Sequence, residues 1–159
     1  MSLFESEHMP DPYMDGKSFP NVRQGYDDNG DYESSLSLTF NQYKQDQVLQ
    51  MNTYEKNGLR NYGFSIYDRP NIPLSETIEK YQELQKQVDS EEKQKAISEI
   101  FEGHNQRAFL GKSQNGEVSV RLMDSKGKDR IRMVIDANDV PRMEFLNEKG
   151  EVVYKLPPE

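Results

Sequence analysis

The chain contains no cysteine and no tryptophan, and only two histidines, His8 and His104. Without cysteine there is no disulfide framework and no thiolate-held metal or redox centre. That absence fits a reducing cytoplasm, and equally the exterior of a bacterium that does not use disulfides. Long apolar runs are missing too. No stretch approaches the roughly 18 apolar residues that cross a bilayer as a helix, and no secretory signal core is visible. Hydrophobic residues are 33% of the 159 and charged residues 30%. The core such a chain builds is thin, and part of it is expected to be disordered or carried by a partner. Positive charge is in deficit: 20 Lys and Arg stand against 28 Asp and Glu, for a net charge of −8. This balance disfavours a nucleic-acid backbone or an anionic membrane surface as the main partner, because each needs a basic face.

What is present is organised. Residues 1–34 are polar and turn-rich, with Pro10, Pro12, Pro20 and the acids Asp27, Asp28, Asp31 and Glu33. They read as an extended or partly disordered arm. Residues 35–159 read as a single β-rich domain. Leu36, Leu38 and Phe40 alternate with Ser35, Ser37 and Thr39, the period-two pattern of a half-buried strand. A second run spans Gln47 to Glu55 and a third Leu59 to Tyr67, with Asn57-Gly58 between them as a hairpin signal. Pro70 ends the third run, since proline cannot donate to a ladder.

Residues 75–102 change period. Ile78, Tyr81, Leu84 and Val88 fall on one helical face, with Ser75 as the expected N-cap and Leu74 as a staple onto Ile78 or its neighbour. Asp89 or Ser90 offers a second cap, followed by Glu91 and Glu92 and the stripe Ala96, Ile97, Ile100 and Phe101. Gly103 suits the residue after that helix. A helical pair, or one broken helix, laid against the sheet is therefore expected. Beyond it, turn signals recur at Asn115-Gly116, Lys126-Gly127, Asn138-Asp139 and Lys149-Gly150, with apolar alternation in between. Even spacing with short turns predicts an antiparallel meander. The expected fold class is mainly β, in antiparallel hairpin and meander sheets with an inserted helical pair; by strict count it is α+β.

Three stretches carry a resemblance. They are Ser37-Leu38-Thr39-Phe40-Asn41-Gln42-Tyr43-Lys44-Gln45-Asp46-Gln47, then Asp68-Arg69-Pro70 with Pro73-Leu74, and then Asp129-Arg130-Ile131-Arg132-Met133 through Pro141-Arg142-Met143-Glu144-Phe145-Leu146 to Tyr154-Lys155-Leu156-Pro157. Together they resemble a group of bacterial proteins of unassigned activity, in which a short N-terminal transmembrane helix precedes a β-rich domain of this pattern. The resemblance spans most of residues 10–157. It implies a membrane-anchored parent with this domain on the outer side, the anchor lying outside this chain; Met1-Ser2-Leu3 fits a cloning remnant. It implies no activity and so transfers no catalytic residue. Gly25 to Ser34 departs from the Gly-rich strand such proteins carry there.

The chemistry-bearing residues each have a plain reading. His104, beside Gly103, suits a helix C-terminus, where the dipole favours a cation. The run Asp27-Asp28-Asn29-Gly30-Asp31 invites calcium. Setting Gly30 at the sixth loop position, however, puts Gly25 and Leu36 where the first and last ligands belong, so an acidic hairpin turn is preferred. Arg121, Arg132 and Arg142 lie opposite the apolar phase of their strands. They could line up to bind an acidic group, but cross-strand pairing with Glu117, Asp136 and Glu144 is the preferred reading. Phe40, Tyr54, Tyr62, Phe64 and Phe145 are read as core, and Tyr13, Tyr26 and Tyr32 as candidates for a subunit contact. No metal, nucleophile-elbow or phosphate-loop motif is present.

No catalytic residue, cofactor or metal ligand is assigned. The function expected is a non-catalytic binding or structural module at a bacterial cell envelope, working through a protein partner or self-association. A small-ligand or enzymatic domain is the alternative, and a cytoplasmic location is the alternative setting.

Overall fold

A computed structural model describes residues 18–26 and 29–158. Nine strands form a single antiparallel sheet whose spatial order equals their order in the chain. They are β1 (Ser18–Tyr26), β2 (Tyr32–Asn41), β3 (Gln47–Lys56), β4 (Leu59–Tyr67), β5 (Gln106–Lys112), β6 (Val118–Met123), β7 (Asp129–Ile135), β8 (Pro141–Leu146) and β9 (Val152–Leu156). Two helices, α1 (Leu74–Gln85) and α2 (Glu91–Ile100), are inserted between β4 and β5, which nevertheless pair directly. The fold is the mainly β meander with a helical pair that the alternation and turn spacing imply.

The turns explain the order. Asn57 and Gly58 both have positive φ, 49° and 82°, and join Lys56 to Leu59 as a two-residue hairpin. Four later turns share one device. In each, a Ser, Asp or Asn opens the turn, and three residues on, a residue with positive φ closes it: Gly116, Gly127, Asp139 and Gly150. Asp124 Oδ1 accepts the N–H groups of Lys126 and Lys128; Asp136 Oδ1 accepts those of Asn138 and Val140; Asn147 Oδ1 accepts those of Lys149 and Glu151. Such side-chain bonds let a tight reversal satisfy its own backbone.

Three expectations are corrected. The boundary after residue 34 falls inside β2, and Ser18–Tyr26 of the supposed arm is a full strand paired with it from Ser18↔Phe40 to Tyr26↔Tyr32. Backbone pairing there is carried by the strong alternation of β2, which offers an edge to a weakly patterned neighbour. Residues 1–17 of that arm, and Asp27 and Asp28 of the acidic run, lie outside the described residues. Ser75 is not the N-cap of α1: Leu74 already begins the helix after Pro73, and its N–H donates to Lys44 O at 2.8 Å. Ser90 does cap α2, accepting from Lys93 N at 3.1 Å.

The helices also do not lie on the sheet. They pack on each other, and neither comes into backbone contact with a strand. Tyr81 and Phe101 meet edge to face at 5.6 Å, and the buried Lys93 ammonium ties the connecting loop through Gln87 O and Asp89. Val88, placed on the apolar face by its spacing, is 90% exposed. Tyr81 and Phe101 also stay 37% and 41% exposed, so each helix covers the other's apolar stripe only in part.

Candidate functional site: an open apolar sheet face

Because paired residues in an antiparallel ladder point to the same side, the register assigns every side chain to a face. One row runs Leu38, Met51, Phe64, Leu110 and continues through Val120, Met133, Met143, Leu156, each directly opposite the next. A second row, from Phe40 through Leu49, Ile66, Ala108, Leu122, Ile131 and Phe145 to Tyr154, is also free of charge. A third, from Leu36 across Tyr62 to Ile135 and Pro141, contains one charge, Lys112. One side of the sheet is therefore apolar from β2 to β9.

Nothing among the described residues covers it. Met51 is 52% exposed, Leu110 51% and Ile135 48%, where a covered sheet face would bury them. The aromatics expected in a core divide accordingly. Phe40 and Tyr62 stand on this open face and are exposed, and Phe64 and Phe145 lie among them half-buried. Tyr54 is on the other side, where its hydroxyl donates to Glu33 Oε1 at 3.1 Å. Two shallow troughs, of about 690 Å³ over β2–β5 and about 500 Å³ over β5–β9, meet at Leu110.

The opposite face is polar and closed by its own side chains. Ser65, at 3% exposure, accepts from Gln106 Nε2, and Val134 is buried at 4%. Arg121 and Arg132 face each other directly across β6 and β7, a like-charge pair that requires compensation. Arg121 forks onto Asp129 at 2.7 to 3.1 Å, and Arg132 Nη2 lies 2.6 Å from Glu144 Oε2. That second approach is an ion pair without hydrogen-bond alignment, which leaves Glu144 Oε2 unbonded. Arg142 meets Glu117 at 3.3 Å, Glu144 at 3.3 Å and Asp136 at 3.5 Å. The expected pairing with Glu117, Asp136 and Glu144 is thus present for Arg132 and Arg142 but not for Arg121. Asp129, the partner of Arg121, was missed because it opens β7 across a register shift at Met123.

The first two stretches that carry the family resemblance dock onto one another. Gln45, 1% exposed, donates from Nε2 to Ile72 O at 2.8 Å while its Oε1 accepts Asp46 N–H. Gln42 Nε2 reaches Pro70 O, and Leu74 N reaches Lys44 O. Arg69 stacks on the Tyr67 ring at 4.8 Å; burial lowers its pKa from the ordinary guanidinium range, opposed by Asp46 and Tyr67. These residues clasp the β2–β3 turn to the entry of α1. The clasp orders backbone and displays no reactive group.

His104 follows α2, with Nδ1 against Phe101 O at 3.3 Å and its ring edge-on to Phe101. It borders a polar cleft of about 850 Å³ between the end of α2 and the Ser125–Lys126 turn. Tyr26 and Tyr32 meet edge to face at 5.6 Å across the β1–β2 hairpin, and Tyr13 lies outside the described residues. Among the described residues no group of three His, Asp or Glu is placed to hold a metal ion. No helix of the described residues is long and apolar enough to cross a membrane. Comparison with family models and with curated proteins finds no match.

Proposed function

We propose that this chain is a non-catalytic binding module whose working surface is the apolar face of its sheet. The observation that carries this reading is the uninterrupted row from Leu38 to Leu156 across eight strands, in which Met51, Leu110, Met133 and Leu156 are 41–52% exposed. A sheet with one apolar face is stable when that face is buried against another layer, and a patch this broad marks an interaction surface. Arg121, Arg132 and Arg142 on the polar face are taken up in ion pairs, a use that supports structure over chemistry. The setting we propose is the outer side of a bacterial membrane, as the soluble part of an anchored protein; the resemblance of the motif stretches supports it.

An apolar reporter dye tests the surface. Dilute protein is expected to bind it while folded, and Leu110→Arg to abolish binding with the β-sheet circular dichroism retained. Absence of dye binding by folded protein at every dilution would remove the face as the working surface. Protease added to intact spheroplasts tests the setting: trimming supports the outer side, and full protection overturns it.

The alternative is a small-ligand domain, favoured by the cleft beside His104, whose Nε2 is buried without a hydrogen-bond partner. A thermal-shift screen of sugars, nucleotides and metal ions tests it. A ligand that raises the melting temperature of wild type but not of His104→Ala supports this reading, and no stabilisation by any of them ends it.

A further inference from the structure

We infer that the occupant of the apolar face is a second copy of this chain, docked sheet to sheet about a two-fold axis near Leu110 and Val120. The inference rests on the face being the working surface and adds what covers it.

Shape excludes a small ligand as the natural occupant. A ligand site buries most of its ligand in a concave pocket. Here Leu36, Met51, Leu110, Met133 and Leu156 stay 41–52% exposed at intervals from β2 to β9, so a small molecule lying on them remains largely in water. The matching shape is another broad, nearly flat, uncharged layer. Packed sheets meet about 10 Å apart with strands near −30°, the angle set by the twist each sheet already carries.

Area is sufficient. Seven strand spacings of about 4.8 Å separate β2 from β9, and the three rows are about 18 Å deep, roughly 600 Å² in projection and more with side-chain relief. Two such faces reach the ~1,200 Å² at which standard interfaces begin. A two-fold contact needs a self-complementary patch. The face supplies one: apolar rows meet apolar rows, Glu55 and Arg60 near one end neutralise each other, and Lys112 is the single charge in the three rows. Three central positions are methionines, Met51, Met133 and Met143, whose flexible side chains adapt to an opposing layer. No acid stands in the three rows, so the acids that make the chain −8 repel copies at a distance while docking brings only one lysine from each copy, Lys112, to the interface.

The sheet edges are weaker candidates for the same contact. β9 is five residues long and carries Lys155, and an edge contact leaves the apolar face open.

The full chain tests this by sedimentation equilibrium across protein concentration and salt. The expected result is a mass of twice 18.5 kDa that forms more readily at higher ionic strength, with Leu110→Arg monomeric and still β-rich. Should that variant misfold, Leu110→Cys serves instead: near the axis, and with no other cysteine in the chain, it should give a disulfide-linked dimer on mild oxidation. Peroxide should oxidise Met51 and Met133 several-fold more slowly in the dimer than in dilute monomer. A wild type that is monomeric at all concentrations overturns the self-docked dimer, as does a dimer indifferent to Leu110→Arg and not cross-linked through Leu110→Cys. A monomer that floats with phosphatidylcholine vesicles overturns it in favour of lipid. In a monomeric outcome, dye binding decides the underlying reading: binding keeps the face as working surface, and no binding removes both.

Discussion

The ring of Phe109 occupies the space that a Cβ at Gly63 would need. That atom would lie 2.5 Å from Phe109 Cε2 and 2.8 Å from Leu110 O, and Gly111 on the next strand is roofed by the same ring. Two directly paired glycines are a weak point in a sheet, and an aromatic laid over them on the polar side replaces the missing packing. Gly63→Ala is therefore expected to destabilise by about 1–3 kcal/mol, because the ring must leave its place and the carbonyl cannot. Urea unfolding checks it; an unchanged midpoint would mean that the strands part freely there.

Acid should weaken the turns. The backbone N–H groups of Lys128 and Lys126 hold the Asp124 carboxyl below the usual aspartate range, and those of Asn138 and Val140 do the same for Asp136. A folded pKa below the unfolded value of about 3.9 means stability that is complete above that value and lost as pH falls through the folded one. Asp124→Asn keeps the acceptor, as Asn147 does in the fourth turn, and should flatten that part of the acid profile. Unfolding midpoints measured down to about pH 2 in both proteins decide it. Parallel curves would place the acid sensitivity elsewhere, for instance at Glu55 with Arg60.

Asp139 takes the left-handed backbone, φ 61°, that glycine takes in the three sister turns. Asp139→Gly relieves that strain and loses some unfolded-state restriction, for a net gain of about 0.5 kcal/mol. A higher urea midpoint at unchanged slope is the expected reading.

Gln45→Ala should cost about 2–3 kcal/mol, since it opens a cavity and strands Ile72 O and Asp46 N–H in a buried clasp. Leu74 would then also lose the geometry of its bond to Lys44 O, so amide exchange at the start of α1 should rise. Protection there equal to wild type would show that the two stretches hold together without Gln45.

Glu144 sits between Arg132 and Arg142 with 7% exposure. Glu144→Ala is expected to cost about 2–3 kcal/mol, because Arg132 keeps no other carboxylate while Arg142 retains Glu117 and Asp136. A double-mutant cycle with Arg132 measures the pair, and a coupling near zero would reduce the contact to a surface pairing.

Much of this architecture was legible from residue spacing. Asn57-Gly58 and the four later turns demand positive φ at known places, and between them alternation of period two leaves one reading. β1 was not legible, because its pattern is weak and its pairing is supplied by β2. The helix start was missed at Ser75 because the Pro73-Leu74 entry is fixed by Lys44, thirty residues earlier in the chain. For the candidate site the limit is more basic. Alternation announces an apolar face in Leu36, Leu38 and Phe40, but whether a layer lies over it depends on where the helices go. The helices meet each other, at Tyr81 and Phe101, and periodicity alone does not name a helix's partner.

Since the sheet is laid down in chain order, each strand bonds only to those that precede and follow it. The molecule therefore behaves as a nearly one-dimensional lattice, in which order spreads from any stable hairpin to its neighbours and is lost from the ends inward. Loops to be closed are short except at the helical insertion, which favours rapid zippering of β5 to β9 ahead of the β4–β5 junction.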